Sequence, residues 1–244
     1  MKPGRWVYVP TPEARSEGTE IKRRITALWD SPEYYYHLRK GGHVAAIQSH
    51  LGNSRFIRFD IQDFFGSINR TRVTRCLKQL VPYSEARAWA TRSTVRDPVF
   101  NGKTHIPYGF VQSQVLSSIC LFSSALGRYL HRIQGKHGLV VSVYVDDVIV
   151  SACDVGKLEM VYAQIQVASA RSRLILSPDK SAAPSPQVSA FNILLSEASM
   201  AITSARLAEF SAALAAGAND SQRSGILNYV KSVSPSQFAI LESQ

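Results

Sequence analysis

Little in this chain is suited to covalent or metal bracing. Three cysteines, Cys76, Cys120 and Cys153, are spread over 244 residues with no CxxC pair, so neither a disulfide framework nor a zinc-ligand spacing is present. They read as reduced, mostly buried thiols of a cytosolic protein. No stretch approaches the roughly 20 consecutive apolar residues of a membrane span. Met1-Lys2-Pro3-Gly4-Arg5 also lacks the apolar run that follows the charges of a secretory signal. A cytoplasmic location without membrane association is the expectation. Acidic residues are scarce in the first half: residues 1–136 carry 9 Asp/Glu against 21 Lys/Arg, and residues 137–244 carry 9 against 7, within a formal net charge of +10. A basic half fits a partner lined with phosphates, although a solvated charged face has the same composition. There is no internal repeat and no low-complexity tail. The length suffices for one large domain or two modest ones.

What is present is a series of apolar segments punctuated by turn residues. Arg5–Pro10 alternates like a short strand that stops at a proline, and residues 11–19 read as loop. Residues 20–29 predict a basic helix closed by Asp30-Ser31-Pro32. Further helices are predicted near 43–50, 70–80 and 84–92, a strand over Arg55–Asp60, a hairpin over 97–107 and one long apolar helix over 114–134. Leu139–Val150 is a β-branched run on both sides of Asp146-Asp147, which predicts a hairpin turning at the aspartates. A helix over 155–170, a Pro/Ser-rich link at 177–189, a strand pair near 190–203 and Ala-rich helices complete the chain.

Adjacent aspartates inside an aliphatic strand run carry a physical cost. Burying an unpaired carboxylate is unfavourable by several kcal/mol, and a like charge beside it adds to that. Taken alone, Asp146-Asp147 is equally a pair of ordinary turn residues, since Asp favours turns. Asp60 changes the balance, because it closes a second apolar strand, with Asp63-Phe64-Phe65 close behind. Three carboxylates at strand ends are a hard-oxygen set suited to two Mg²⁺ ions, one activating a hydroxyl nucleophile and the other carrying a pyrophosphate leaving group. Nothing offers the His/Cys set that zinc prefers.

The boxes around these residues resemble a known family. Tyr144-Val145-Asp146-Asp147 is similar to the Tyr-x-Asp-Asp box of reverse transcriptases. Phe59-Asp60-Ile61-Gln62-Asp63-Phe64-Phe65-Gly66-Ser67-Ile68 resembles the Asp-Ile-x-x-Phe-Phe-x-Ser-Ile box of bacterial retron and group II intron enzymes. Arg5–Pro10 looks like the Arg-x-Ile-x-x-Pro strand of the fingers, and Gly109-Phe110-Val111-Gln112-Ser113 resembles the Pro-Gln-Gly segment. Leu176–Ser181 resembles the block ending in a lysine, and Gly225–Val230 is similar to the thumb segment of retron-type enzymes.

This resemblance implies an α+β right-hand polymerase fold. Fingers would occupy 1–50 with part of 70–107, a palm with an antiparallel sheet backed by helices 51–200, and a short helical thumb 201–244. It implies an RNA-directed DNA polymerase, a nucleotidyltransferase adding dNTPs to a 3′ end by two-metal phosphoryl transfer. Asp60, Asp146 and Asp147 would ligate two Mg²⁺ ions, or Mn²⁺ in their place, with the Ile61 carbonyl assisting. Phe65 matches the aromatic under the sugar of the incoming nucleotide, where a ring leaves no room for a 2′-hydroxyl. Gln112 and Tyr144 join the nucleotide-binding set, Gln112 near the template base as well. Arg5 would neutralise the triphosphate, and Lys180 would protonate the departing pyrophosphate. Lys22, Arg23 and Arg24 would hold template phosphates, help at the triphosphate, or form a solvated helix face. Tyr34-Tyr35-Tyr36 would stack bases or pack fingers on palm, and His43 and His50 are structural or RNA-contacting.

Three departures from the family pattern bear on subfamily. Val111-Gln112-Ser113 stands for Pro-Gln-Gly, Ser117-Ser118 for the following Ser-Pro, and Val188–Asn192 for Val-Thr-Gly. They point away from retrons and towards the unclassified bacterial reverse transcriptases, many of them linked to anti-phage defence. The expected partners are an RNA template, dedicated and non-coding, a DNA primer and product, dNTPs, and a partner protein or further copies of the chain. Two alternatives stand beside this reading. One is template-independent or protein-primed DNA synthesis, which an altered Gln112-Ser113 segment would permit. The other is an RNA-binding scaffold working with an effector, which the intact carboxylate set opposes.

Overall fold

The computed structural model describes residues 6–98 and 102–242. Its first helix begins earlier than the apolar pattern predicts. Thr11 accepts from the Ala14 amide at 3.2 Å and Pro12 occupies the first turn, so α1 runs Pro12–Leu28. The loop expected at 11–19 is the first half of this helix. Over the described part of the expected strand, Arg5–Pro10, no strand forms. Only a Val7–Tyr108 bridge remains, with the Tyr8 amide donating to the Tyr108 carbonyl at 3.0 Å. Arg5 lies outside the described residues.

Next come α2 (Gly42–Gln48), β1 (Arg55–Asp60), α3 (Arg70–Leu77) and α4 (Tyr83–Arg92), close to their predicted places, and a hairpin of β2 (Val95–Arg96) and β3 (Thr104–His105). The single helix expected over 114–134 is two, α5 (Ser113–Phe122) and α6 (Ala125–Ile133). Ser124 caps α6 by accepting from the Gly127 amide at 3.1 Å, and a Cβ on Gly127 would overlap the Leu121 carbonyl. A serine and a glycine break the helix without disturbing its apolar spacing. The aspartates sit in a hairpin of β4 (Val140–Tyr144) and β5 (Asp147–Ala152), followed by α7 (Val155–Ser172). The Pro/Ser-rich stretch is not a link: it contains β6 (Ala182–Ser185) and β7 (Val188–Ala190). With β8 (Ile193–Leu195) and β9 (Met200–Ile202), β7 forms a three-stranded sheet ahead of α8 (Ser204–Ala215), α9 (Asp220–Val233) and α10 (Pro235–Glu242).

The main sheet has the order β4-β5-β1-β6, and β1 is antiparallel to both neighbours. Strand periodicity divides its side chains between two faces. Ile57, Phe59, Val141, Val143, Val148 and Val150 share one face, in a core with Leu158, Val161 and Ile165 of α7 and with α5 and α6. On the other face Phe56 stands opposite Ser151, Arg58 opposite Ile149, and Asp60 opposite Asp147. There Phe56 and Ile149 join a second core with β7–β9 and α8–α10. His50, fully buried beside them, lies 2.7 Å from both the Ser151 and Ser142 hydroxyls. Charged residues collect at the strand ends.

Both margins of this sheet are closed. The Val143 amide donates to the Tyr34 carbonyl at 2.8 Å, and β6 at the opposite margin contains Pro184. Tyr34 and Tyr35 are buried in the first core, so these two rings serve packing and not base stacking. All three cysteines are free, Cys76 and Cys120 buried and Cys153 exposed. Among the described residues no helix is long and apolar enough to cross a membrane.

Candidate active site

The β4–β5 hairpin turns over two residues. Tyr144 pairs with Asp147, which leaves Val145 and Asp146 in the loop, and Val145 takes φ +60°. A left-handed conformation in such a residue costs on the order of 1–3 kcal/mol and persists only where the surroundings impose it. His37 supplies part of that constraint. Its Nδ1 accepts from the Val145 amide at 3.0 Å, and its Nε2 lies 2.6 Å from Ser118 Oγ. With Nδ1 accepting, Nε2 carries the proton and donates to Ser118, whose hydroxyl donates in turn to the Gln114 carbonyl at 2.7 Å. Burial pushes the His37 imidazole down to about 4, which keeps it neutral in this chain of bonds.

Asp146 in the loop and Asp147 at the start of β5 meet Asp60 at the end of β1. One carboxylate oxygen from each lies within 4.8 Å of the others, and no other group of three acidic, His or Cys ligands gathers this way among the described residues. Asp60 is only 4% exposed and accepts from Lys180 Nζ at 2.7 Å. Asp147 Oδ1 accepts from Arg58 Nε at 3.0 Å and Nη2 at 2.6 Å, while Arg58 Nη1 donates to the Ser189 carbonyl at 2.7 Å. Asp146 has no ion pair among the described residues; burial first, and then the nearby Asp60 charge, push its carboxyl up to about 6. Three carboxylates against two cations leave net negative charge in an all-oxygen donor set. That fits a hard divalent cation.

The other expected site residues are placed as follows. The Ile61 amide donates to the Asp146 carbonyl at 2.9 Å, which ties the end of β1 to the loop. Phe65 is buried, its ring centroid 4.7 Å from that of Tyr108. Tyr144 joins an aromatic group with His37, His43 and Phe191, and His43 also lies 3.2 Å from the Tyr229 hydroxyl. Gln112 is buried: its Nε2 donates to Ser93 Oγ at 3.2 Å, its Oε1 has no hydrogen-bond partner, and a Cβ on Gly18 of α1 would overlap it. The Ser113 hydroxyl donates to the Pro107 carbonyl at 2.6 Å. Lys22 and Arg23 are exposed on α1, Arg23 paired with Glu20 at 2.7 Å. Arg24 is drawn to α4, paired with Glu85 and lying 4.7 Å from the Trp89 ring centroid.

Two residues of this centre were not expected from sequence. Arg58 stands two positions before Asp60, and strand period alone puts both on one face, so its signal was available. His37 meets Val145 from 108 residues away, and no local pattern marks it.

An antiparallel sheet backed by helices, with clustered carboxylates on its open face, is the α+β right-hand arrangement expected above. Solved structures share it. Telomerase from Candida albicans, in complex with a TWJ fragment of telomeric RNA, matches with a TM-score of 0.57 at 11% identity over 93% of this chain and 47% of that one. Apo telomerase from Candida tropicalis, truncated from its C-terminal domain, matches with a TM-score of 0.54 at 11% identity, covering 75% of this chain and 44% of that one. The chain therefore spans about half the length of these telomerases, and at such identity the likeness is one of fold. No curated protein matches the sequence. Residues 8–196 match the family described as reverse transcriptase (RNA-dependent DNA polymerase), and the chain belongs to that family.

Proposed function

We propose that this chain is an RNA-directed DNA polymerase that extends a 3′ end with deoxynucleotides, centred on Asp60, Asp146 and Asp147. The observation that carries the reading is the convergence of three carboxylate oxygens within 4.8 Å at neighbouring strand ends, in a member of the reverse transcriptase family. These oxygens, with the Ile61 carbonyl, would hold two Mg²⁺ ions; when bound, such ions supply activation of the 3′-hydroxyl and charge neutralisation at the pyrophosphate.

The chain's own side chains position and protonate. Arg58 fixes the Asp147 carboxylate through two N–H donors, and His37 holds the strained turn that presents Asp146. Lys180, 2.7 Å from Asp60, keeps an ammonium at the edge of the site, from which it protonates departing pyrophosphate. Phe65, braced by Tyr108, is a rigid wall under the sugar that excludes a 2′-hydroxyl. Tyr144 lines the nucleotide side. Gln112 acts as a buried support for it, since Gly18 covers its amide. Arg5 meets the triphosphate and Lys22 faces template phosphates, while Arg23 and Arg24 are held by Glu20 and Glu85. Fingers at 1–50 with part of 70–107, palm at 51–200 and thumb at 201–244 complete the assignment. Copying of a dedicated non-coding RNA in anti-phage defence belongs to the same proposal, and rests on the resemblance of Phe59–Ile68 together with the departures at 111–113 and 188–192.

The test is incorporation of labelled dNTPs, and separately rNTPs, on a primed RNA template with Mg²⁺, beside Asp146→Ala/Asp147→Ala. Template-dependent dNTP incorporation that falls to background in the variant is the expected result. Equal use of rNTPs would remove the role given to Phe65. Homopolymer made without template would favour template-independent synthesis. No incorporation, even with RNA co-purified from the host, would favour the scaffold.

A further inference from the structure

The helix layer carries a second concentration of charge. A cavity of about 470 Å³ between α3 and the last turn of α7 is lined by Arg72, Arg75, Arg171 and Arg173. A neighbouring cavity of about 210 Å³, between α6 and α7, adds Arg128 and Arg132 and shares Arg171 with the first. Together they make one groove with six arginines and no carboxylate in its lining.

Several basic side chains elsewhere on the surface have acidic neighbours. Arg23 pairs with Glu20, Arg24 with Glu85, Arg92 with Glu17, Arg206 with Glu209 and Lys157 with Asp154. None of the six groove arginines has an ion pair among the described residues. Arg75, Arg132 and Arg171 lie in the last turns of α3, α6 and α7, where the helix dipole favours a cation. That accounts for a cation on each helix. It does not account for cations from three helices converging with no acid between them, since like charges this close repel unless an anion lies among them. The neutral lining suits phosphate as well, because Asn69 and Thr71 offer an amide and a hydroxyl donor beside the guanidinium forks.

Position separates this groove from the carboxylates. The buried residues of α7 share a core with Phe59 and Val148, on the sheet face opposite Asp60 and Asp147. The sheet and its helix layer therefore stand between the two sites. We propose that the arginine groove is a second nucleic-acid site, binding the phosphate backbone of RNA outside the stretch being copied and without reading its sequence. It goes beyond the polymerase assignment and requires neither metal nor nucleotide.

The test uses the full chain, a fluorescent hairpin RNA and the same hairpin as DNA, with anisotropy followed across a salt series. Arg75→Gln/Arg132→Gln/Arg171→Gln is the variant, because Arg72 and Arg128 bond to the Ser172 and Ser123 carbonyls and are left in place. Matching thermal midpoints establish that it is folded. Hairpin RNA should bind at least about tenfold more weakly, with a salt slope shallower by about 2 to 3. The corresponding triple Arg→Lys variant should restore the slope, and the Gln variant should extend a short primed template at the wild-type rate. Unchanged RNA affinity and slope in the Gln variant would overturn the proposal. So would a loss confined to the DNA hairpin, or a variant that keeps hairpin RNA but no longer binds poly-glutamate, which would make the partner an acidic protein. Failure of the wild-type chain to extend any primer would sink the polymerase reading and leave this binding comparison standing.

Discussion

Arg58 and Phe59 are neighbours in β1, yet they belong to different economies of the molecule. Phe59 is fully buried in the core shared with α7, while Arg58 reaches Asp147 and the Ser189 carbonyl. The face of Phe59 is apolar apart from Arg55 at the start of the strand. The face of Arg58 is graded, from Phe56 and Ile149 in the second core, with His50 and its two serines beside them, to the carboxylates at the strand ends. One face supplies stability, and the other gives some of it up to hold charges and a left-handed valine in place.

This contrast can be broken by experiment. Phe59→Ala should lower unfolding free energy by about 3–5 kcal/mol, read from denaturant midpoints. Arg58→Ala, one residue away, should cost less stability, about 1.5–3 kcal/mol for the lost charge-assisted hydrogen bonds, while dNTP incorporation falls about tenfold to hundredfold. If Arg58→Ala unfolds the chain as Phe59→Ala does, the division between the faces is wrong.

A pH series sharpens the comparison at its two buried histidines. Burial holds His50 down to about 3 and His37 to about 4, so in the folded chain both stay neutral where the unfolded chain takes up protons. Below about pH 6.5 the unfolded state binds more protons, and stability should fall with decreasing pH by about 1.4 kcal/mol per unit for each histidine, until the folded values are reached. His50→Gln should flatten urea midpoints measured between pH 7 and 5; an unchanged slope would mean that His50 is not held neutral. The smallest effect concerns the turn. Val145→Gly should raise the thermal midpoint by the equivalent of about 1 kcal/mol and slow incorporation. A rise in both would show that the left-handed valine has no part in placing Asp146.

Much of this was legible in the sequence because it is local. Arg55–Asp60 and Leu139–Val150 are strands by composition, and their ends carry the carboxylates. What was not legible depends on single polar atoms or on distant chain. Thr11 and Pro12 start a helix inside a stretch that looks like loop, and Ser124 splits a helix whose apolar spacing runs on. The Pro/Ser-rich stretch becomes strand because distant chain offers it edges, β1 to β6 and β8 to β7. Gln112 is buried by Gly18, and His37 reaches the Val145-Asp146 turn across the fold; neither contact has a counterpart in neighbouring sequence.

The closed margins of the main sheet have a consequence for how the chain is made. An uncovered strand edge is a template for pairing with another molecule, and proline is one of the residues that blunt it. At the β6 margin the protection is built into the strand as Pro184. At the β4 margin it comes from the Tyr34 segment, which lies on the N-terminal side of β4 and so leaves the ribosome first. The segment that covers β4 is therefore already synthesised when β4 emerges.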